Sequence, residues 1–593
     1  MTTLTRLLTM LQRFSVQVFV VAAVALFPVA VNAGEALTPT SAGVYQPGWN
    51  PLELGIRLAK GTVVWPDAAT WLGTVFLLAL VGGLVALSFA TPGGSAASAV
   101  SGNGVAGRLA TGQQLAPLMG KAMRKDATNL HPHAQGIAPG QVLGVPAAGR
   151  AAVLYQGWRD LGVCIMGPGT GKTSCCVVPR ILNAPGSALM TGNKVDGVAQ
   201  VIAGRHHLGP VWVWDLGKIF RQPDTPDFIF NPLAQVRGTE DAMRLASWLI
   251  TASAKNNPRT ETEAKDDAHF GPAGESCLAW MLLAAAKTGK TLAHVHDWAS
   301  KGALLLVSNL LDDLGYTRPA AEVAGYDKWP DKTRGSLVAT VQRMCRDLVH
   351  EAILPWTTPT PGIREFDPAG FLQGRQTLIM LSERGPGSAG AIITALVNAI
   401  TRTAIRETPG EARLKVPLVG ELDEIANIAA WPSLPKDFSY FGSRGLCFTV
   451  YLQAYSQGVS EWGENGMKTL WQTAGIRLLG ASEEDTFTQG ISQRLGTWEK
   501  PTGEGKPAKT MPKASVEDLS NIPKFTALLS TSITPAAIIK LRRWDNTPAM
   551  KRTVEHGLPA ARAIINGTNP TAIPIPVNTP VVHTKEQEKE NAA

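Results

Sequence analysis

Charged residues are scarce in this 593-residue chain, 17% of the total against 45% hydrophobic, and that balance excludes an intrinsically disordered protein. Cysteine is scarce too. The six thiols, Cys164, Cys175, Cys176, Cys277, Cys345 and Cys447, include no C-x-x-C pair and have no histidine at metal-ligand spacing, which excludes a disulfide scaffold or a zinc site. They read as reduced, buried thiols, and since all six follow residue 160 they assign that part of the chain to a reducing cytoplasm. No internal repeat stands out, and the 59 Gly and 41 Pro follow no collagen-like period. What is present is length for three or four folded units of roughly 150 residues each. The balance is basic, net charge +8 with pI ≈ 9.1, which suits a polyanion or an acidic membrane surface.

Two uncharged apolar stretches lie near the amino terminus. Residues 14–31 follow Arg6 and Arg13 and end in Val31-Asn32-Ala33, so they read either as a retained anchor or as a cleaved signal peptide. Residues 71–90 are long enough to cross a hydrocarbon core of ~30 Å as a helix, with Trp71 at an interfacial position. Arg108, Lys121, Arg124 and Lys125 follow the second stretch, and the positive-inside rule then puts the rest of the chain in the cytoplasm. The expectation is a multi-pass protein of the cell (plasma) membrane. Residues 91–107 are Gly/Ser-rich, the composition of a flexible tether.

Beyond the tether, short apolar runs alternate with helical patterns. Strands are expected at 161–166, 187–191, 211–215, 377–381, 416–422, 446–452 and 476–480, which points to a parallel α/β sheet. Helical periodicity dominates residues 241–371, so an all-α insertion interrupts the sheet. Residues 500–513 read as a Lys/Gly/Pro loop and residues 551–593 as a tail.

The strongest motif is IMGPGTGKTS, between a strand-like and a helix-like run. Gly167, Pro168, Gly169, Thr170, Gly171, Lys172, Thr173 and Ser174 form a glycine-rich turn whose N–H groups can face a phosphate at the head of the next helix. Lys172 reaches the β- and γ-phosphates of ATP, and Thr173 gives a hydroxyl to Mg²⁺. The G-x-x-x-x-G-K-[ST] pattern has its first glycine one place late, with Met166 where it is expected. Pro179 is expected to end or kink the helix after about two turns. The acidic pair Asp423-Glu424 closes a mostly apolar run interrupted by Gly420 and Glu421. Asp423 supplies the Mg²⁺ shell and Glu424 the base that activates water.

With these motifs, the chain resembles the TraG/TraD-like coupling ATPases of type IV secretion, the conjugative DNA-transfer family. The likeness runs through GPGTGKTS, SALMTGNKVDGV at 187–198, VWVWDLGK with FNPL at 230–233, LDEIANIAAWPSLP at 422–435 and SRGLCFTVYLQAYSQ at 443–457. It implies a RecA-like P-loop NTPase domain at 108–240 and 372–550, an all-α domain at 241–371, and an N-terminal transmembrane anchor within 1–90. It also implies a homo-hexamer that hands relaxase-bound single-stranded DNA and associated protein to type IV secretion channel components. By motif position, Gln453 is the sensor of the γ-phosphate, and Arg444 or Arg477 is an arginine finger given to a neighbouring subunit. Lys194 and Asp215 also fall at recurrent family positions, where an ordinary charged residue at a sheet end is the default. The alternatives are an FtsK-like DNA translocase, a protein-only secretion ATPase, and a membrane scaffold that binds nucleotide without turnover.

Overall fold

The computed structural model describes residues 27–33, 35–37, 49–63, 65–74 and 104–566, the last apart from 135, 150, 221–225, 257–259, 351, 383–389, 409, 411–412, 429–430, 483 and 501–506. The chain divides into two units, Met1–Ala99 and Val100–Ala593.

In the first unit the helix Pro51–Ala59 starts at Asn50, whose side chain accepts from the amides of Leu52 and Glu53. Nine residues rise only about 14 Å, half of a hydrocarbon core, and this helix carries Glu53 and Arg57. Among the described residues no helix is long and apolar enough to cross a membrane. That finding overturns the expected transmembrane anchor, the multi-pass placement in the cell membrane and the membrane as a partner. Most of the expected spans, 14–26 and 75–90, lies outside the described residues. So does most of the tether, although its last residues enter the helix Val105–Arg108 with Val105 and Ala106 buried.

Among its described residues the second unit contains fifteen strands: β1 Gln141–Pro146, β2 Leu154–Gln156, β3 Gly162–Ile165, β4 Ala188–Gly192, β5 Val211–Asp215, β6 Phe228–Ile229, β7 Arg364–Glu365, β8 Thr377–Leu381, β9 Leu418–Asp423, β10 Leu446–Leu452, β11 Ile476–Leu479, β12 Thr497–Lys500, β13 Lys509–Pro512, β14 Thr526–Thr531 and β15 Ala537–Lys540. Eleven of them make one sheet in the order β2-β1-β15-β14-β11-β3-β10-β9-β4-β8-β5. From β11 to β5 all pairings are parallel, and from β11 to β2 all are antiparallel. The sheet is thus mixed rather than parallel throughout.

Strands β3, β4, β8, β9 and β10 are buried at every residue, because helices cover both faces. That environment explains the two interruptions in the run before Asp423. A Cβ on Gly420 would lie 2.5 Å from the Phe448 ring, so β9 and β10 can be neighbours only with glycine there. Glu421 faces a buried partner, Arg180, at 3.7 Å, and also accepts from the Tyr451 hydroxyl, while Arg180 donates to Thr449 Oγ1 at 2.8 Å. Burial pushes the Glu421 carboxyl up to about 8, against the downward pull of Arg180 and Tyr451.

Among the described residues, seven α-helices come between β6 and β7 in sequence, Thr239–Asn256, Glu261–Lys287, Leu292–Lys301, Leu304–Asp313, Thr317–Asp327, Asp331–Cys345 and the single turn Leu354–Thr357. The second is buried on every side from Cys277 to Ala285, the behaviour of a helix in the middle of a helical layer. Two expectations change at the carboxyl end. The flanks of the 500–513 loop pair as the antiparallel hairpin β12–β13, and the tail expected from residue 551 begins as the helix Pro548–Ile565, packed on the helix Val198–Arg205. A Pro at the first turn and apolar Val554 and Ala561 on the buried side account for that helix.

The buried charges give two expected outcomes. Glu421→Leu strands the Arg180 guanidinium and should lower stability by about 3 kcal/mol or more, with Arg180→Met in the same chain restoring most of it, measured by urea unfolding. His131 is held at about 4 by burial and by the charge of Arg413. The unfolded chain therefore binds more protons, so stability should decline as pH falls from about 6.5 towards 4, and a thermal melt series should lose that slope in His131→Gln.

Candidate nucleotide-binding site

The site is built by adjacency in the sheet. β10 lies between β3 and β9, in register Leu452 beside Ile165 and Tyr451 beside Asp423, so all three strands end at the same edge. The turn after β3 leads to Lys172, β9 ends in Asp423 with Glu424 next in the chain, and Gln453 follows β10 between them. Carboxyl ends of parallel strands are where such sheets bind ligands.

Within the glycine-rich turn, Gly169 and Gly171 have φ of 70° and 111°, which side chains rarely adopt. Thr170 Oγ1 donates to the Gly167 carbonyl at 2.6 Å, and the Phe525 amide donates to the Thr170 carbonyl at 3.1 Å, pinning the turn to the start of β14. Met166, at the place the pattern gives to glycine, is buried against Gly480, where a Cβ would sit 2.9 Å from Met166 Cγ. The room normally supplied by the first glycine is supplied by one on the next strand. Pro179 stands at the second residue of an α-helix that ends three residues later, so the helical run after the turn changes type beside it and is short. The first turns of that run, Lys172–Val177, are π-helical, and Val178 bonds back to the Thr173 carbonyl, so the widened turn absorbs the donor that proline lacks before the α-helix Val178–Leu182.

Lys172 Nζ stands 3.1 Å from Glu424 Oε1, and both side chains are 9% exposed. Glu424 has φ 55°, a left-handed backbone costly for a residue with a Cβ. That twist brings its carboxylate to four partners: Lys172, the Gln453 amide at 2.8 Å, the Asn427 amide at 2.7 Å and the Gln457 side chain. Burial alone would raise the Glu424 carboxyl, but Gln453, Lys172 and Gln457 outweigh it and hold it below the ordinary value. Asp423 goes the other way, pushed up to about 6 by burial in spite of Lys172. Its Oδ2 accepts from Thr173 Oγ1 at 3.3 Å, whereas its buried Oδ1 has no hydrogen-bond partner. A hydroxyl beside an orphaned carboxylate oxygen is a donor set that fits Mg²⁺, which takes few protein ligands and fills its shell with water and phosphate. Two side chains of this cluster, Asn427 and Gln457, are absent from the expected set. Their spacings, three residues after Glu424 and four after Gln453, are the helical signal by which they could have been found.

The remaining candidates lie elsewhere. Arg444 ends the helix Leu434–Arg444 at the opposite edge of the sheet, where its Nη1 donates to the carbonyls of Thr408 and Gly410. Arg477 lies within β11, level with Val163 rather than at the strand end. The Asp215 carboxylate accepts from the amides of Ile219 and Phe220 and so shapes its own turn, and Lys194 is exposed. All six cysteines are free and buried.

Residues 417–521, which include Asp423, Glu424 and Gln453, match the family described as the TraM recognition site of TraD and TraG. No curated protein matches the chain. Among solved structures, the chain is similar to the unbound bacterial conjugative coupling protein TrwBdeltaN70 at 17% identity, covering 70% of this chain and 91% of that one with a TM-score of 0.50. Plasmid coupling protein TrwB in complex with a non-hydrolysable ATP analogue is 19% identical, covers 65% and 86%, and has a TM-score of 0.48. VirB4 of Thermoanaerobacter pseudethanolicus is 13% identical, covers 68% and 96%, and has a TM-score of 0.42. In the fold shared with a conjugative coupling protein and in the matched segment, as in its motifs, the chain resembles the TraG/TraD-like coupling proteins of type IV secretion.

Proposed function

We propose that this chain is an ATPase that couples conjugative DNA, as a relaxase-bound single strand with associated protein, to type IV secretion channel components. The observation that carries the reading is the meeting of Lys172 and Thr173 with Asp423, Glu424 and Gln453 at one sheet edge. The TraG/TraD match over 417–521 supports the coupling role.

In this reading the N–H groups of the turn Gly167 to Ser174, Pro168 having none, would receive the phosphates of ATP, and Lys172 would turn from Glu424 to the β- and γ-phosphate oxygens. Thr173 and the free oxygen of Asp423 would hold Mg²⁺. When bound, Mg²⁺ neutralises charge on the phosphate oxygens. Glu424, released by Lys172, accepts a proton from the attacking water, and its lowered pKa keeps it ionised for that role. Gln453 and Asn427 keep the carboxylate oriented, and Gln453 registers the loss of the γ-phosphate. The sheet-bearing segments 108–240 and 372–550 act as the motor, the helical segment 241–371 as the module that meets cargo, and a homo-hexamer surrounds the strand. Backbone phosphates suffice for grip, with no need to read bases.

The test is ATP turnover by the full chain, alone and with single-stranded oligonucleotide. Stimulation by the strand is expected, and turnover indifferent to it points instead to a protein-only exporter. Glu424→Gln should lower kcat by about 10²-fold or more while retaining ATP binding, and Lys172→Ala should lose binding itself. Wild-type turnover in both variants would reject the reading.

A further inference from the structure

A cavity of about 480 Å³ opens between the helices Thr239–Asn256, Gly390–Glu407 and Leu434–Arg444, and none of its lining residues belongs to the phosphate turn or the acidic pair. It has the size of a small-ligand site. Arg244, Arg402 and Arg406 line it together with Trp248, Tyr440 and Asp437.

The carboxylates around it are already engaged. Asp437 accepts from Trp431 Nε1 at 3.0 Å and from Ser433 Oγ at 2.6 Å. Asp241 pairs with Arg244 at 3.2 Å and Arg237 at 3.4 Å, and the largely exposed Glu240 lies 2.5 Å from Arg244. Among the described residues, Arg402 therefore meets a carboxylate only at 3.8 Å, from that same Glu240, and Arg406 spends one donor on the Thr403 hydroxyl at 2.8 Å. Two guanidinium groups with donors to spare face one cavity, and Arg forks match phosphate oxygens. Both have their proton affinity lowered, first by burial and then by a neighbouring arginine, Arg244 for Arg402 and Arg237 for Arg406. An anion would give both buried guanidinium groups a close partner of opposite charge. Tyr440, 66% exposed, and Trp248 add flat ring surface of the kind on which bases stack.

We propose that this cavity binds a phosphate-bearing nucleotide unit, with Arg402 and Arg406 on the phosphate and Tyr440 and Trp248 against the base. The unit is either a free nucleotide or one residue of a DNA strand. Its occupant touches the first helix of the helical segment, the helix that leads towards β9 and the helix that leads into β10, so binding there bears on the strands that carry Asp423, Glu424 and Gln453. The inference does not rest on hydrolysis at Lys172, and its test is run with that site disabled.

In the full chain carrying Lys172→Ala, fluorescence anisotropy is measured with a fluorescent ADP analogue and with labelled oligothymidylate. At least one probe should bind, and adding Arg402→Ala with Arg406→Ala should weaken it about tenfold or more, the scale of a lost charge-assisted contact. Loss for the ADP analogue alone assigns a free nucleotide, and loss for the oligonucleotide assigns the strand. Should the double variant melt early, Tyr440→Ala, at an exposed position, decides, with weaker binding expected. Failure of both probes to bind, or binding unchanged in the arginine variant and in Tyr440→Ala, overturns the proposal.

Discussion

The contact between Lys172 and Glu424 depends on one constraint, that a single strand, β10, separates β3 from β9. Adjacent strands lie about 4.8 Å apart, so residues leaving β3 and β9 at one edge begin about 10 Å from each other, a gap that a lysine and a glutamate can close between them. A different strand order would leave both side chains intact and useless to each other. The parallel register does the rest, since it makes three strands stop together.

That geometry is held at a cost in several places. Gly420 gives up a side chain so that Phe448 can pack against β9, and Gly480 gives up one so that Met166 can stand where a glycine is usual. Glu424 accepts a left-handed backbone, of order 1–2 kcal/mol, and in exchange its carboxylate meets four donors. Beneath them Arg180 faces Glu421 in a buried layer of the sheet. The low charge content of the chain gives these groups their weight, because each buried ion must find its partner within a few neighbouring strands.

Much of this was legible in the sequence, for physical reasons that also explain what was not. Strands buried on both faces read as unbroken apolar runs, so 211–215, 377–381 and 446–452 coincide with β5, β8 and β10. The site residues share a strand–turn grammar, glycine then lysine on one side and an acidic pair on the other. The antiparallel edge is different: β2 and β15 are short and carry too few residues for a periodicity to show, and β1 contains Gly144 and Pro146, residues that read as a turn. The hairpin β12–β13 reads as loop because its short strands are largely exposed and bury no apolar face. Glu421 looked like an interruption because its partner, Arg180, is 241 positions earlier, a pairing that no local pattern carries. Asn427 and Gln457 were hidden for a similar reason, since polar residues near helix starts are common and only the fold aims them at Glu424.

The same contacts make the site a coupled device rather than a set of parts. With Lys172 on Glu424, the cation that a triphosphate needs and the carboxylate that a water needs occupy each other. At an effective dielectric near 20, such a pair is worth on the order of 5 kcal/mol of direct attraction at 3.1 Å, before desolvation is counted. A triphosphate carries several negative charges to Glu424's one, so it can take the lysine. Taking it leaves Glu424 free but still held by Asn427, Gln453 and Gln457. In the proposed function, arrival of the nucleotide and exposure of the base are therefore one event, and Gln453, bonded through its amide group to Glu424 and through its backbone to Gln457, would pass the change to the head of the helix Tyr455–Thr473. Glu484 caps that helix by accepting from the amides of Tyr455 and Ser456, which ties its movement to the segment after β11. A charge exchange of a few ångströms thus reaches two further elements through hydrogen bonds already in place, which is what a motor needs to turn phosphate chemistry into displacement.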